Sequence, residues 1–213
     1  MSLHSMQDPQ ALRRQLKQLR SSLSARARSD AEALVIHQLL HQPRFLRARR
    51  VAGYFGRNGE IDPMPLLARA AAMHKHCYLP VLHPFRAGSL WFCRWHPGER
   101  LRLNRYGIPE PVPSAGAMIP ARWLDVVVVP LLGFDSDCHR LGMGGGYYDR
   151  TFSFARRHRL ASRPYLIGVA HEVQRVDALP IRPWDVQLDS VVTDRNCYTC
   201  RRKPMPRHNT PLD

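Results

Sequence analysis

Leu12, Leu16, Leu19 and Leu23 recur at spacings of four, three and four, the period of one stripe along a helix whose other faces are basic. A second helix is expected over residues 31–41, with Asp30 as its N-cap and Pro43 as its stop. The pattern then shortens. Residues 50–55 read as a strand and residues 56–59 as a turn. Asp62-Pro63 opens a third helix running to about residue 74, because the aspartate can cap free N–H groups and proline suits the first helical position. Apolar strands follow at residues 77–82 and 90–95, joined through a Pro84–Gly88 connection. Residues 97–120, rich in proline and glycine, read as an irregular surface stretch and a candidate binding loop. The run at 124–132 (LDVVVVPLL) suits a parallel strand buried on both faces, at the centre of the sheet. A helix over 147–158 and strands at 165–170 and 189–193 complete an alternating βα series. The expected fold is a single α/β domain over residues 8–195, with a mostly parallel central sheet flanked by helices in an open, Rossmann-like three-layer arrangement. Residues 196–213, polar and proline-containing, are expected to form a disordered tail.

Composition narrows this picture. No apolar run approaches the roughly 20 residues of a membrane span, and residues 1–20 lack the apolar core of a secretory signal, so a cytoplasmic location without membrane partners is expected. Five scattered cysteines argue against a disulfide framework, and the C-x-x-C of Cys197 and Cys200 has no second pair nearby to complete a structural zinc site. The formal charge of +15 raises affinity for any polyanion without naming one. The arginines are dispersed, and neither zinc-finger spacing nor an RNA-recognition signature accompanies them, so nucleic acid is not the expected main partner. A monomer is expected.

Candidate chemistry lies after the central strand, where Gly133-Phe134-Asp135 precedes Arg140-Leu141-Gly142-Met143-Gly144-Gly145-Gly146-Tyr147-Tyr148-Asp149. Four glycines in five positions let a phosphate approach the backbone, and the following helix offers unpaired N–H groups to an anion, although glycine clustering by itself reads equally well as a flexible loop. The loop lacks the Lys-Ser/Thr of a Walker A sequence, and Tyr147 stands where a dinucleotide fingerprint has its last glycine.

The series R-L-G-x-G-x-G-Y-Y-D closely resembles the signature of the 5-formyltetrahydrofolate cyclo-ligase (5,10-methenyltetrahydrofolate synthetase) family. Further matches run in order: Leu12-Arg13, Phe55, Gly59-Glu60-Ile61, Leu79-Pro80-Val81-Leu82, Ile108-Pro109-Glu110-Pro111, Leu124-Asp125-Val126, Leu179-Pro180 and Trp184-Asp185. The resemblance implies an ATP- and Mg²⁺-dependent ligase that closes 5-formyltetrahydrofolate to 5,10-methenyltetrahydrofolate with release of ADP and phosphate. A formamide is a poor electrophile whose oxygen leaves badly, so phosphorylating that oxygen is what lets a neighbouring folate nitrogen attack. Carried over residue by residue, Arg13, Arg140 and the backbone from Leu141 through Gly142, Met143, Gly144 and Gly145 to Gly146 would hold ATP, with Tyr147 and Tyr148 beside it. Arg140, Tyr148 and Asp149 would serve catalysis, and Asp149 with Asp185 would bind Mg²⁺. Phe55, Glu60, Tyr106, Gly145, Gly146 and Tyr147 would meet the folate, Glu60 through the pterin and Tyr106 as a lid. Polyglutamate tails would suit the basic surface. Where the family often has a basic residue four positions before the N-terminal arginine, this chain has Pro9, with Arg14 and Lys17 as nearby substitutes. Two other readings stand beside this one: a folate- or nucleotide-binding relative without turnover, and a basic nucleic-acid-binding protein.

Overall fold

A computed structural model of the chain describes residues 8–113, 116–157 and 164–200. Helix α1 (Pro9–Ser21) starts on a proline, and Asp8 caps it by accepting from the N–H groups of Gln10 and Ala11 at 3.0 and 3.2 Å. It buries Leu12, Leu16 and Arg20, spaced by four, whereas Leu19 is exposed and Leu23 lies past the helix end. The expected leucine stripe is thus rotated, and an arginine takes the third buried position. Helix α2 (Ala25–Leu40) begins six residues before expectation because Ser24 supplies the cap, accepting from Ala27 N–H at 3.1 Å; Asp30 lies inside it. Pro43 opens a separate short helix, α3 (Pro43–Arg47), and β1 spans only Arg50–Ala52.

α4 (Met64–Ala72) begins one residue later than expected, with Pro63 rather than Asp62 at the N-cap; Asp62 Oδ1 accepts from both Met64 N–H and Gly56 N–H, tying the helix start to the preceding turn. β2 (His76–Leu82) and β3 (Leu90–Trp95) lie where expected. The stretch expected to be irregular contains a hairpin of β4 (Leu101–Leu103) and β5 (Pro109–Pro111), then β6 (Met118–Ile119). β7 (Val126–Pro130) precedes a second hairpin, β8 (Gly133–Phe134) with β9 (Arg140–Leu141). The single helix expected after the glycines is two short ones, α5 (Tyr147–Thr151) and α6 (Phe154–Arg157). Ser153 between them turns its hydroxyl back onto the Arg150 carbonyl at 3.0 Å, a local bond that competes with helix continuation. β10 (Tyr165–Val169), β11 (Ser190–Val192) and β12 (Cys197–Thr199) complete the chain.

Eight strands form one sheet in the order β12-β11-β10-β7-β1-β2-β3-β6. The five from β11 to β2 are parallel, and the antiparallel β12, β3 and β6 close the edges. This is the expected α/β fold. The β7 residues alternate between faces: Val126 and Val128 join the core with α2, α3 and α4, while Val127 and Val129 join the one holding Phe152, Leu166 and Val191. A third cluster is smaller. Leu12 and Leu16 pack on Leu132, Leu141 and Leu179, which sets α1 across the carboxyl end of the sheet, against the hairpin that leads into the glycines.

Two expectations about the C-terminal segment change. β12 pairs with β11, Val191 opposite Tyr198, so the expected tail is ordered at its start; residues 201–213 lie outside the described residues. Cys138 and Cys200 form a disulfide, against the expectation of unpaired cysteines, and Cys77 and Cys93 are buried whereas Cys197 is exposed. Among the described residues, no helix is long and apolar enough to cross a membrane.

Candidate active site

Chain order reverses between β1 and β7, and in open α/β sheets the crevice beyond the carboxyl ends at such a switch point is where ligands bind. Here β1 runs out into Tyr54, Phe55 and the turn carrying Glu60, and β7 into the β8–β9 hairpin and the glycines. Between them lies a cavity of about 1010 Å³, lined by both segments and by residues of α1, β5, α5 and the 179–185 segment.

Asp135 fixes the hairpin. Its Oδ1 accepts from the N–H groups of Asp137 and His139, and its Oδ2 from Leu179 N–H. From Leu141 the chain leaves as bare backbone, with Gly144 at φ +102° and Gly146 at φ +63°, conformations that a side chain would strain. Among the described residues, the N–H groups of Gly142 to Gly146 donate to no other protein group. Arg13 steadies the loop from α1, its Nε donating to Gly142 O at 2.9 Å. Arg150 does so from the other side, bonding Gly145 O and Gly88 O.

Arg140 and Asp149 meet each other. Arg140 Nη2 lies 2.6 Å from Asp149 Oδ1, and Nη1 donates to Val186 O. The same Asp149 oxygen accepts from Val186 N–H at 3.0 Å. Arg140 is 5 % exposed at its side chain, so at least two of its five donors are committed within the protein instead of turned toward a ligand. Asp185 adjoins Val186 and lines the same cavity, with Oδ2 accepting from Arg182 N–H. Among the described residues no group of three or more His, Cys, Asp or Glu gathers to hold a metal. Two carboxylates in one cleft still fit Mg²⁺, which commonly takes one or two from the protein and completes its shell with water and phosphate oxygens.

On the opposite wall Glu60 Oε1 lies 3.4 Å from Arg20 Nη1, and Oε2 accepts from Arg57 N–H. Burial pushes the Glu60 carboxyl above its ordinary pKa, against the pull of Arg20 and then Arg57. Phe55 lines the cavity while packing against the main core. Tyr148, half-buried and lining the cavity near Glu60, has its hydroxyl pushed well above the usual pKa by desolvation, so it remains a neutral donor. Tyr106 reaches across the mouth to Tyr147, hydroxyl to hydroxyl at 2.7 Å, and Arg105 donates to Tyr147 at 3.2 Å. The bonds from Tyr106 and then Arg105 lower the Tyr147 pKa.

The model of the 5-formyltetrahydrofolate cyclo-ligase family matches residues 5–194. The chain belongs to this family. The 5-formyltetrahydrofolate cyclo-ligase of Escherichia coli K12 is 37% identical over 178 residues, covering 84% of this chain and 96% of that one. The Haemophilus influenzae protein of the same name is 34% identical over 186 residues, 87% of this chain and 97% of the other. The solved 5,10-methenyltetrahydrofolate synthetase of Aquifex aeolicus superposes with a TM-score of 0.76 at 30% identity, over 95% of this chain and 99% of its own.

In this cyclo-ligase family member the residues assigned to the site all line the cavity, namely Arg13, Phe55, Glu60, Tyr106, Arg140 to Asp149, and Asp185; Pro9 lines it too, but Arg14 and Lys17, the suggested substitutes for a basic residue there, are not among its lining. Sequence reasoning missed Arg20, Tyr54, Asn104 and the role of Glu110. Glu110 is 5 % exposed, and its Oε1 accepts from Leu82 N–H and Asn104 Nδ2, tying the β4–β5 hairpin to β2. A polar residue between prolines carries no such signal. Arg20 did leave one, standing four residues after Leu16 on a stripe otherwise apolar.

Proposed function

We propose that the chain catalyses the ATP-dependent closure of 5-formyltetrahydrofolate to 5,10-methenyltetrahydrofolate. The observation that carries this reading is one crevice with free backbone donors beside Asp149 on one wall and the part-buried Glu60 carboxylate on the other. The Gly142–Gly146 amides receive the nucleotide phosphates, with Arg13 holding the loop at Gly142 from α1. Arg140 anchors Asp149 and offers its remaining donors to phosphate. Asp149 and Asp185 would hold Mg²⁺, which when bound neutralises charge on the phosphates. Glu60 accepts from the amino and imino groups of the pterin, and Phe55 walls the ring. The formyl oxygen, placed toward the loop, takes the γ-phosphoryl group; the neighbouring nitrogen attacks the activated carbon and phosphate leaves. The protein's part is to hold both reactants in line and exclude water. The Tyr106–Tyr147 pair closes the mouth, and Arg57 and Arg105 beside it suit the carboxylates of glutamate tails.

Purified protein given 5-formyltetrahydrofolate and Mg-ATP should develop the methenyl chromophore, with none formed when ATP is omitted; folded protein that forms none would overturn the reading. Glu60→Gln should raise KM for the folate roughly 10- to 100-fold, the loss of a charge-assisted bond of about 1.5–3 kcal/mol, and leave KM for ATP near the wild-type value. Steady-state kinetics with each substrate varied in turn distinguishes this from an equal loss for both, which would remove Glu60 from the pterin.

A further inference from the structure

Arg20 is left without a role by this chemistry. It sits in the last turn of α1 at 2 % exposure, a place arginine almost never occupies without a partner. Its acidic partner is Glu60, with Nη1 3.4 Å from Oε1. That separation exceeds the usual N–H···O range, which ends near about 3.2 Å. Nε, equally buried, has no partner among the described residues. The contact is therefore chiefly one of charge, in surroundings where charge acts more strongly than in water.

The turn bearing Glu60 is held from two sides. Arg20 packs its stem near Gly59, and the 3 % exposed His171 lies with Nε2 3.0 Å from Gly59 O. Burial lowers the His171 pKa, leaving a neutral ring whose Nε2–H donates to that carbonyl. Seven residues before Arg20, on the same helix, Arg13 grips the glycine loop at Gly142. Seven residues are about 10 Å of helix, so one rigid element touches both walls of the crevice with an arginine each.

We propose that Arg20 is a positioning residue for folate recognition: its buried positive charge keeps Glu60 an anion aimed into the cavity, and α1 thereby ties the folate wall to the nucleotide wall. This rests on Glu60 meeting the pterin. The other titratable or charged groups around Glu60 are Arg57 and Asp62 from its own segment, Tyr54 from the end of β1, Tyr148 from α5, and, through Gly59, Arg28 from α2 and neutral His171. Removing Arg20 takes away the largest influence opposing the effect of burial, so Glu60 would take up its proton at higher pH.

The test is KM for 5-formyltetrahydrofolate as a function of pH in wild type, Arg20→Met, Arg20→Lys and Glu60→Gln, with the Tm of each. Arg20→Met should raise folate KM several-fold at neutral pH and move the acid-side rise in KM upward by about one pH unit or more, with KM for ATP near wild type. Arg20→Lys restores the charge, and since Nε has no bond to lose, it should return both KM and the midpoint toward wild type. An unmoved midpoint in Arg20→Met, while Glu60→Gln still raises folate KM, would reduce Arg20 to packing and overturn the proposal. So would a lysine variant as impaired as the methionine one. If Arg20→Met does not fold, the lysine variant decides alone: a folate KM and midpoint close to wild type support the role of charge, and a marked loss refutes it. A Glu60→Gln protein with unchanged folate KM would sink the assignment of Glu60 itself.

Discussion

Asp149→Asn is expected to lower turnover on the order of 10²-fold or more, the usual cost of removing one electrostatic contact made in the transition state, while the protein stays folded and both substrates still bind. The amide keeps an oxygen for Val186 N–H and for Arg140 Nη2, so the local bonds of the site survive and only the negative charge is lost. Asp149→Ala differs in a way the geometry dictates. It strips the partner from an arginine that is 5 % exposed and from a backbone N–H together. Breaking a buried pair from one side costs about 3–5 kcal/mol, which for a chain of this size is a Tm drop on the order of 10 °C. The two variants thus separate chemistry from stability, by kinetics at saturating substrate for the first and thermal unfolding for the second. An asparagine variant with wild-type turnover would remove Asp149 from phosphoryl transfer.

That outcome bears on what the sequence could reveal. The β7 run and the βα alternation were legible because a strand buried on both faces needs an unbroken apolar stretch, and Val126 to Val129 are all essentially buried. The position of the glycine loop after the central strand was legible, but not its use, because bare backbone serves a flexible loop as readily as a phosphate seat and only the family resemblance favoured the second. The partnership of Arg140 with Asp149 was not, since an i, i+9 pair crosses a loop whose path no local rule sets; the arginine was therefore assigned to phosphate when its nearest anion is a carboxylate of the same chain. Helix boundaries slipped where two caps competed, Ser24 winning over Asp30. The hairpin within residues 97–120 was hidden because proline-rich edges pair through few bonds, and this one is secured by a side chain, Glu110, from within. Arg20 shows the same limit in the site: its partner lies 40 positions away, and only the packing of α1 across the sheet end brings them together.

Gly142→Ala isolates the claim that a phosphate sits on the loop. An added Cβ at Gly142 meets nothing within 4 Å, and its φ lies outside the left-handed range, so nothing in the protein itself requires glycine there. Gly144 is the contrasting case. Its Cβ would also find open space, the nearest atoms being the Arg13 guanidinium at 3.9 Å, but φ +102° imposes strain of about 1–3 kcal/mol on any side chain. Gly144→Ala should therefore weaken ATP by moving the loop's amides, whatever the ligand's contacts. Gly142→Ala can weaken it only if the nucleotide comes close enough for one methyl group to push it away. The expected result is a rise in KM for ATP of roughly tenfold or more, about 1.4 kcal/mol per tenfold, with folate KM and Tm near wild type. Isothermal titration with a non-hydrolysable ATP analogue reads the same loss without turnover. An unchanged ATP affinity in Gly142→Ala, alongside a loss in Gly144→Ala, would mean that the loop shapes the site from a distance and that the phosphates lie elsewhere in the crevice.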